Sequence, residues 1–330
     1  MRGLVVGTLV LALVGFVVFI AGSSALTEDA VRAMWRRSDL KLFALAFAMM
    51  TAGLYFLALR WRAMMTDRTG VEVLPLTGVF VVGTLLHYAL PGPVGEFAAA
   101  ALAGRRFRIS TEMAFAASVH ARFIGLAVAG FVSAALFATL DMPVPDGMSR
   151  WIGLATAAIA GGAVALGVLS AYPAVLREAS ARTIGRIRFL RRVHASVERL
   201  ADSLQAVGRL GPRRYAWGVL WALCGHGAVA GGIWMAAYAL GATPDPAGLA
   251  FTYTMSTAGA VVLFAFPGSQ LGWDAMFASL LVATAGLAVP DALAVTLLVR
   301  LQQLFIVLLG GILLLRVAAV RTDDTGPLIG

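Results

Sequence analysis

Two short stretches decide the reading of this chain: Leu90-Pro91-Gly92-Pro93-Val94-Gly95-Glu96 and Phe266-Pro267-Gly268-Ser269-Gln270-Leu271-Gly272-Trp273-Asp274. Each interrupts an otherwise apolar run, 72–104 in the first case and 247–287 in the second. Proline cannot continue a helix through its own position, and glycine weakens one. Each run therefore predicts two half-helices joined at a break. Such a break is tolerated inside hydrocarbon only where protein or a water-filled cavity covers it.

That hydrocarbon is the solvent follows from composition. Hydrophobic residues make up 60% of the 330 positions and charged residues 13%, with a mean hydropathy of +0.86. A soluble domain of this length has too little interior for so much apolar surface. Apolar runs of spanning length predict six crossings, at 4–22, 41–60, 112–138, 150–170, 215–240 and 292–316. The first also fits a signal peptide, Met1-Arg2-Gly3 leading an apolar run into Ala21-Gly22-Ser23-Ser24-Ala25. The repeat described below requires that it stay as a span. A single cysteine, Cys224, excludes an internal disulfide.

The net charge of +9 is concentrated in short loops, which suits membrane orientation rather than nucleic acid. Arg60, Arg62 and Arg68 mark one cytoplasmic loop, and Arg105, Arg106 and Arg108 a second. The segment 172–214 carries ten arginines and marks a third. Segments 139–149, with Asp141 and Asp146, and 241–246, with Asp245, face outward on this rule, and the end at Arg316 and Arg321 is cytoplasmic. The first broken run then starts and ends inside and the second starts and ends outside. Both read as re-entrant hairpins entering from opposite faces.

The halves line up as span, surface segment, span, hairpin, span. The expected fold is all-α and polytopic, six spanning helices plus two re-entrant broken-helix hairpins in an inverted repeat. One membrane domain covers 1–330, with a first repeat at 1–138 and a second at 150–318. Spacing supports this independently: Arg122 follows Glu96 and Arg300 follows Asp274, each by 26 positions. Many secondary transporters are built from such repeats, with broken helices meeting near the midplane. Within the cytoplasmic segment 172–213, Ile184, Ile187, Leu190, Val193, Val197, Leu200, Leu204 and Val207 recur at helical spacing. That pattern predicts an amphipathic helix lying either on anionic headgroups or over other loops.

An ionisable side chain at the bilayer centre costs roughly 2.5–3.5 kcal/mol on insertion scales, so four of them need a reason. Glu96 and Asp274 pair with Arg122 and Arg300 within each half or across halves; the spacing leaves both arrangements open. Either the arginines offer planar, bidentate forks to a phosphate and the acids position them, or the pairs only brace the hairpins. The returning half-helices begin near Val94 and Leu271, so their free N–H groups form a natural anion site. Glu96 and Asp274 then also compensate the helix dipole. The candidate substrate-binding set is His87, Pro91, Gly92, Gly95, Glu96, Arg122, Pro267, Gly268, Gly272, Asp274 and Arg300.

Lesser candidates each have an ordinary alternative. His120 lies on a different helix face from Arg122, and His226 stands isolated. Thr252, Thr254, Ser256 and Thr257 line a polar path or satisfy their own helix carbonyls. Gly227 and Gly231 read as helix packing. The one lysine, Lys41, belongs to no nucleotide-binding loop, and no metal cluster or nucleophile–base pair is visible. No catalytic residue and no cofactor is expected.

The chain resembles the lysylphosphatidylglycerol synthase transmembrane family, the flippase-like membrane half of the multiple peptide resistance factors. The resemblance runs over nearly the whole chain. It is carried by Ala58-Leu59-Arg60-Trp61-Arg62, the first Pro-Gly break with Glu96, Arg122, then Pro267-Gly268, Gly272, Asp274 and Arg300. It implies a module that moves aminoacylated phosphatidylglycerol or a related lipid across the inner membrane, aminoacyl transfer being the task of a separate soluble domain. Where the family often has Arg after the first Pro-Gly, Asn at the place of His87 and Glu at the place of Asp274, this chain has Pro93, His87 and Asp274.

The expected function is a lipid flippase in a bacterial-type inner membrane, both termini cytoplasmic, and not an enzyme. Its partners would be membrane lipids: an anionic phospholipid, an aminoacyl-lipid, or a polyprenyl or hopanoid lipid. A second copy of the chain or a lipid-modifying enzyme is a further partner, and nucleic acid is not one. The alternatives are an ion-coupled transporter of a small anion and a non-transporting scaffold for a lipid-modifying enzyme or glycosyltransferase.

Overall fold

A computed structural model describes residues 38–89, 94–139, 148–170, 191–263 and 269–323, with a few isolated positions at 36 and 172–182. The proposed first crossing at 4–22 and both break segments, including Pro91, Gly92, Pro267 and Gly268, lie outside the described residues. Among those residues there are ten helices and no strand. They are α1 (Leu40–Met64), α2 (Val73–Ala89), α3 (Val94–Phe107), α4 (Thr111–Thr139) and α5 (Met148–Ser170). Then follow α6 (Arg191–Gly208), α7 (Pro212–Ala239), α8 (Pro246–Leu263), α9 (Ser269–Ala285) and α10 (Val289–Asp323). Four of them, α1, α4, α7 and α10, contain stretches long and apolar enough to cross a membrane.

Local chemistry sets the helix ends. Asp39 caps α1 by accepting from the backbone N–H of Lys41 at 2.8 Å and of Leu42 at 3.3 Å. At the other end Arg214 Nη1 donates to Ala63 O (3.3 Å) and Met65 O (2.8 Å), placing a cation on the negative end of the helix. Pro212 begins α7 at a position where its missing N–H costs nothing. Asp245 caps α8 by accepting from Gly248 N at 2.5 Å.

α1 and α7 form the central pair. Asp39 N donates to Ala239 O at one end, and Arg214 reaches Met65 at the other, so the two run antiparallel. Their axes approach closely because small residues face each other. A Cβ on Gly232 would lie 2.6 Å from Met50 Cγ and 2.8 Å from Ala46 O, and one on Gly53 would lie 2.6 Å from Val229 Cγ2. Gly231 faces Met49 Cε, but a Cβ on Gly227 would meet nothing within 4 Å. Gly227 is therefore not a packing glycine, and Gly53, Gly225 and Gly232 take the role assigned to it.

Around this pair the contacts repeat. α2 packs on α3, α3 on α4, and α2 on α10; α8 packs on α9, α9 on α10, and α8 on α4. α2 and α3 fold back on each other, with Gly83 against Ala99 and Val82, Leu85 and Leu86 beside Ala98 and Leu102. α8 and α9 do likewise, with Thr252 and Thr284 hydroxyls 2.7 Å apart and Gly259 against Met276.

The amphipathic segment is helical over α6. It buries Leu204 and Val207 in a cluster with Met64, Met65 and Ala114, Ala201 is buried beside them in sequence, and Arg199 Nε meets Glu112 at 2.8 Å. Its apolar face thus rests on protein. Covering other elements, rather than lying on headgroups, describes residues 194–208; Ile184, Ile187 and Leu190, and the side chain of Val193, lie outside what is described.

Candidate functional site

A cavity of about 500 Å³ lies between α1, α4, α7 and the two helix pairs. Its α1 wall is one helical stripe, Met50, Gly53, Leu57 and Arg60, and its α7 wall another, Gly225, His226, Val229 and Ile233. Arg122 and Gly125 enter from the middle of α4, Glu96 from the first turn of α3, Tyr253 and Thr257 from α8, Trp273 from α9, and Gln302 and Gln303 from α10. Apolar side chains, among them Phe80, Phe123, Leu126 and Val299, fill the spaces between these polar groups.

Both ion pairs form within their own halves. Arg122 Nη2 pairs with Glu96 Oε2, and Ser118 Oγ donates to Glu96 Oε1. Arg300 Nε donates to Asp274 Oδ1 at 2.6 Å, Nη1 donates to Gln303 Oε1 at 2.5 Å, and the guanidinium sits 5.1 Å from the Trp273 ring centre. Trp273 in turn stacks on Phe277 at 4.7 Å.

The pairs differ in what they face. The Arg122 side chain is 49% exposed and lines the cavity, whereas Arg300 is 11% and Asp274 4% exposed. Asp274 and Arg300 stand behind Trp273 and Gln303, which occupy the wall in front of them. Nor does Asp274 compensate a helix dipole: α9 starts at Ser269, and its first turn carries no acid. Only Glu96 stands in a first turn.

Arg60 is the residue that sequence reasoning misplaced. As one of three arginines closing a span it reads as a loop charge, yet it is 8% exposed and faces the cavity from the last part of α1. Its Nε has no hydrogen-bond partner among the described residues. Arg62, two positions on, does turn to the helix end, donating to Val71 O at 2.6 Å. The signal available in the sequence was helical spacing: Arg60 lies ten positions from Met50, on the Gly53 and Leu57 face.

His226 is not isolated either. Its Nε2 lies 3.0 Å from Gly125 O and its Nδ1 3.3 Å from Tyr253 Oη. His120 is a buried structural histidine, between Ala116 O at 3.1 Å and Ser170 Oγ at 3.1 Å. Thr254 bonds its own helix carbonyls and receives Ser133 Oγ at 2.8 Å, and Thr252 pairs with Thr284. Thr257 lines the cavity, while Ser256 Oγ is buried with no partner among the described residues. Gly95 is buried at the start of α3, Gly272 lies in α9, and His87 lies in the last turn of α2, its side chain outside what is described.

A bundle with four long apolar helices around a polar, arginine-bearing cavity defines a multi-pass membrane protein. The chain belongs to the family described as the lysylphosphatidylglycerol synthase TM region, which matches residues 3–311. Among proteins of curated function and among solved structures, no match to the chain is found.

Proposed function

We propose that this protein is a lipid flippase of the inner membrane, carrying a phosphate-bearing headgroup through the cavity between the helix pairs. The observation that carries this reading is Arg60, a buried cation whose Nε has no hydrogen-bond partner among the described residues, beside a second arginine, Arg122, in a cavity among membrane helices. Burying an unpaired charge is expensive, and an anionic ligand relieves that cost. The lining is also amphipathic. Arginines, Tyr253, His226 and the glutamines suit a headgroup, and Leu57, Phe123, Leu126, Val229 and Ile233 suit the glycerol and upper acyl region. A wholly water-soluble anion would have no use for that apolar wall, so the lining favours a lipid over a small anion. The size lies within the usual range for ligand sites, roughly 300–1,000 Å³.

The same reading includes six crossings, two re-entrant hairpins and cytoplasmic termini, and it makes the chain a carrier rather than an enzyme. Its support is the reciprocal packing: α2 on α10 matches α8 on α4, and the corresponding helices α1 and α7 pack antiparallel on each other. Asp274 and Arg300 would brace the second hairpin, and Glu96 would hold Arg122.

The test is lipid movement in proteoliposomes, comparing wild type with Arg60→Gln and Arg122→Gln after confirming that each variant folds. Movement by the wild type that both variants lose is expected. Equal movement in all three would reduce the arginines to structural parts, and no movement by the wild type under any gradient would end the flippase reading.

A further inference from the structure

The charge balance of the cavity carries one step more, which rests on the lipid-transport reading. Among the described residues, the ionisable side chains facing the cavity that bear on this balance are Arg60, Glu96, Arg122 and His226. Glu96 has both oxygens engaged, one by Ser118 and one by Arg122. The Gly125 carbonyl can only accept, so His226 donates to it from Nε2, while its Nδ1 lies beside Tyr253 Oη. Among the described residues Arg60 Nε has no hydrogen-bond partner, and the acid that acts on it, Glu96, is already paired with Arg122. Trp273, a lining ring of the kind that suits a ligand ammonium, already carries Arg300 on its face.

We infer that the cavity selects by headgroup charge: it takes lipids whose headgroup has a phosphate and no cation, and it rejects aminoacylated and other cationic headgroups. A phosphate accepts from guanidinium forks in the geometry arginine favours. An ammonium would meet two guanidinium groups in a low-dielectric site with the one carboxylate already committed, and like-charge juxtaposition there is a strong rejecting element. Gln302 and Tyr253 add neutral hydrogen-bonding groups suited to hydroxyls, so a glycerol or sugar headgroup fits where an amine does not.

The test uses the full-length protein in detergent, binding short-chain phosphatidylglycerol, its lysyl ester and phosphatidylcholine, with glycerol 3-phosphate and inorganic phosphate as soluble competitors. Labelled long-chain forms of the lipids are followed in proteoliposomes in parallel. Phosphatidylglycerol is expected to bind about tenfold or more tighter than either cationic headgroup, the size of one lost charge-assisted contact. Arg60→Gln should erase most of that preference, and Arg60→Lys, which keeps the charge, should retain it. Equal binding of phosphatidylglycerol and its lysyl ester by the wild type overturns the inference, and this comparison needs no variant to fold. Soluble phosphates that compete as well as the lipid overturn it too, because the ligand is then a free anion. Headgroup discrimination in binding without any lipid movement upholds the inference and removes the transport reading. Movement of the lysyl ester at the rate of phosphatidylglycerol does the reverse.

Discussion

Gly125 lies directly beneath the guanidinium of Arg60: a Cβ added at position 125 would overlap Nη1 of that side chain. The same residue offers its carbonyl to His226 Nε2 at 3.0 Å. One glycine on α4 thus makes room for the Arg60 guanidinium and orients the imidazole beside it. Helix packing alone does not require a glycine there, since what it would meet is the far end of a flexible side chain.

This gives a way to disturb Arg60 without deleting it. Gly125→Ala should fold at least as well as the wild type, since alanine is the better helix former by about 1 kcal/mol. It should nevertheless lose lipid movement by about tenfold, because Arg60 must swing away from its place over α4. Melting and transport measured on the same preparation check this; a variant that melts like wild type and transports like wild type would show that the position of Arg60 is immaterial.

The two ion pairs should separate on stability. Arg300→Gln strands a buried carboxylate, Asp274, and breaking a buried pair costs on the order of 3–5 kcal/mol. Arg122 is half exposed and Glu96 keeps the Ser118 hydroxyl, so Arg122→Gln should cost less, about 1–2 kcal/mol. Thermal melting of both variants in one detergent tests the order, and a more severe loss at Arg122 would contradict the bracing role assigned to the second pair.

Glycine packing gives a matched pair of substitutions on one helix. Gly232→Leu drives a side chain into Met50 and the Ala46 carbonyl, an overpacking cost of about 1–3 kcal/mol or more. Gly227→Leu points into open space and should leave the melting temperature at or above that of the wild type. Similar losses at both positions would show that α1 and α7 do not meet along the stripe through Gly53, Gly225 and Gly232.

Much of this arrangement is written in local patterns. Apolar runs place α1, α4, α5, α7 and α10 within a few residues, and the Pro-Gly breaks separate α2 from α3 and α8 from α9. The shared spacing from acid to arginine is met by two ion pairs, each inside its own half. What is not legible is which face of a helix turns inward when the whole surface is apolar. Arg60 looks like a loop charge because it stands beside Arg62, yet a rotation of two residues carries one to the cavity and the other to the helix end. The difference between Arg122 and Arg300 is hidden for a similar reason. It depends on Trp273 and Gln303 standing in front of one pair, a tertiary fact with no counterpart in spacing.

The sidedness of the short loops bears on the re-entrant reading most directly. If α2 and α3 form a hairpin that enters and leaves on one face, the loops before α2 and after α3 must be accessible from the same side. The loops before α8 and after α9 must then be accessible from the opposite one. In a Cys224→Ala background, single cysteines at Thr69 and Ser110 should react with an impermeant maleimide only from the cytoplasmic side, and those at Thr243 and Ala288 only from outside. These four positions are exposed and lie between helices, so substitution at Thr69, Thr243 and Ala288 should cost within about 0.5 kcal/mol, and at Ser110, whose Oγ caps α4 by accepting from Met113 N, about 1 kcal/mol. Labelling of Thr69 and Ser110 from opposite faces would turn α2 and α3 into a crossing, remove the inverted repeat, and leave the cavity a side pocket of an ordinary bundle.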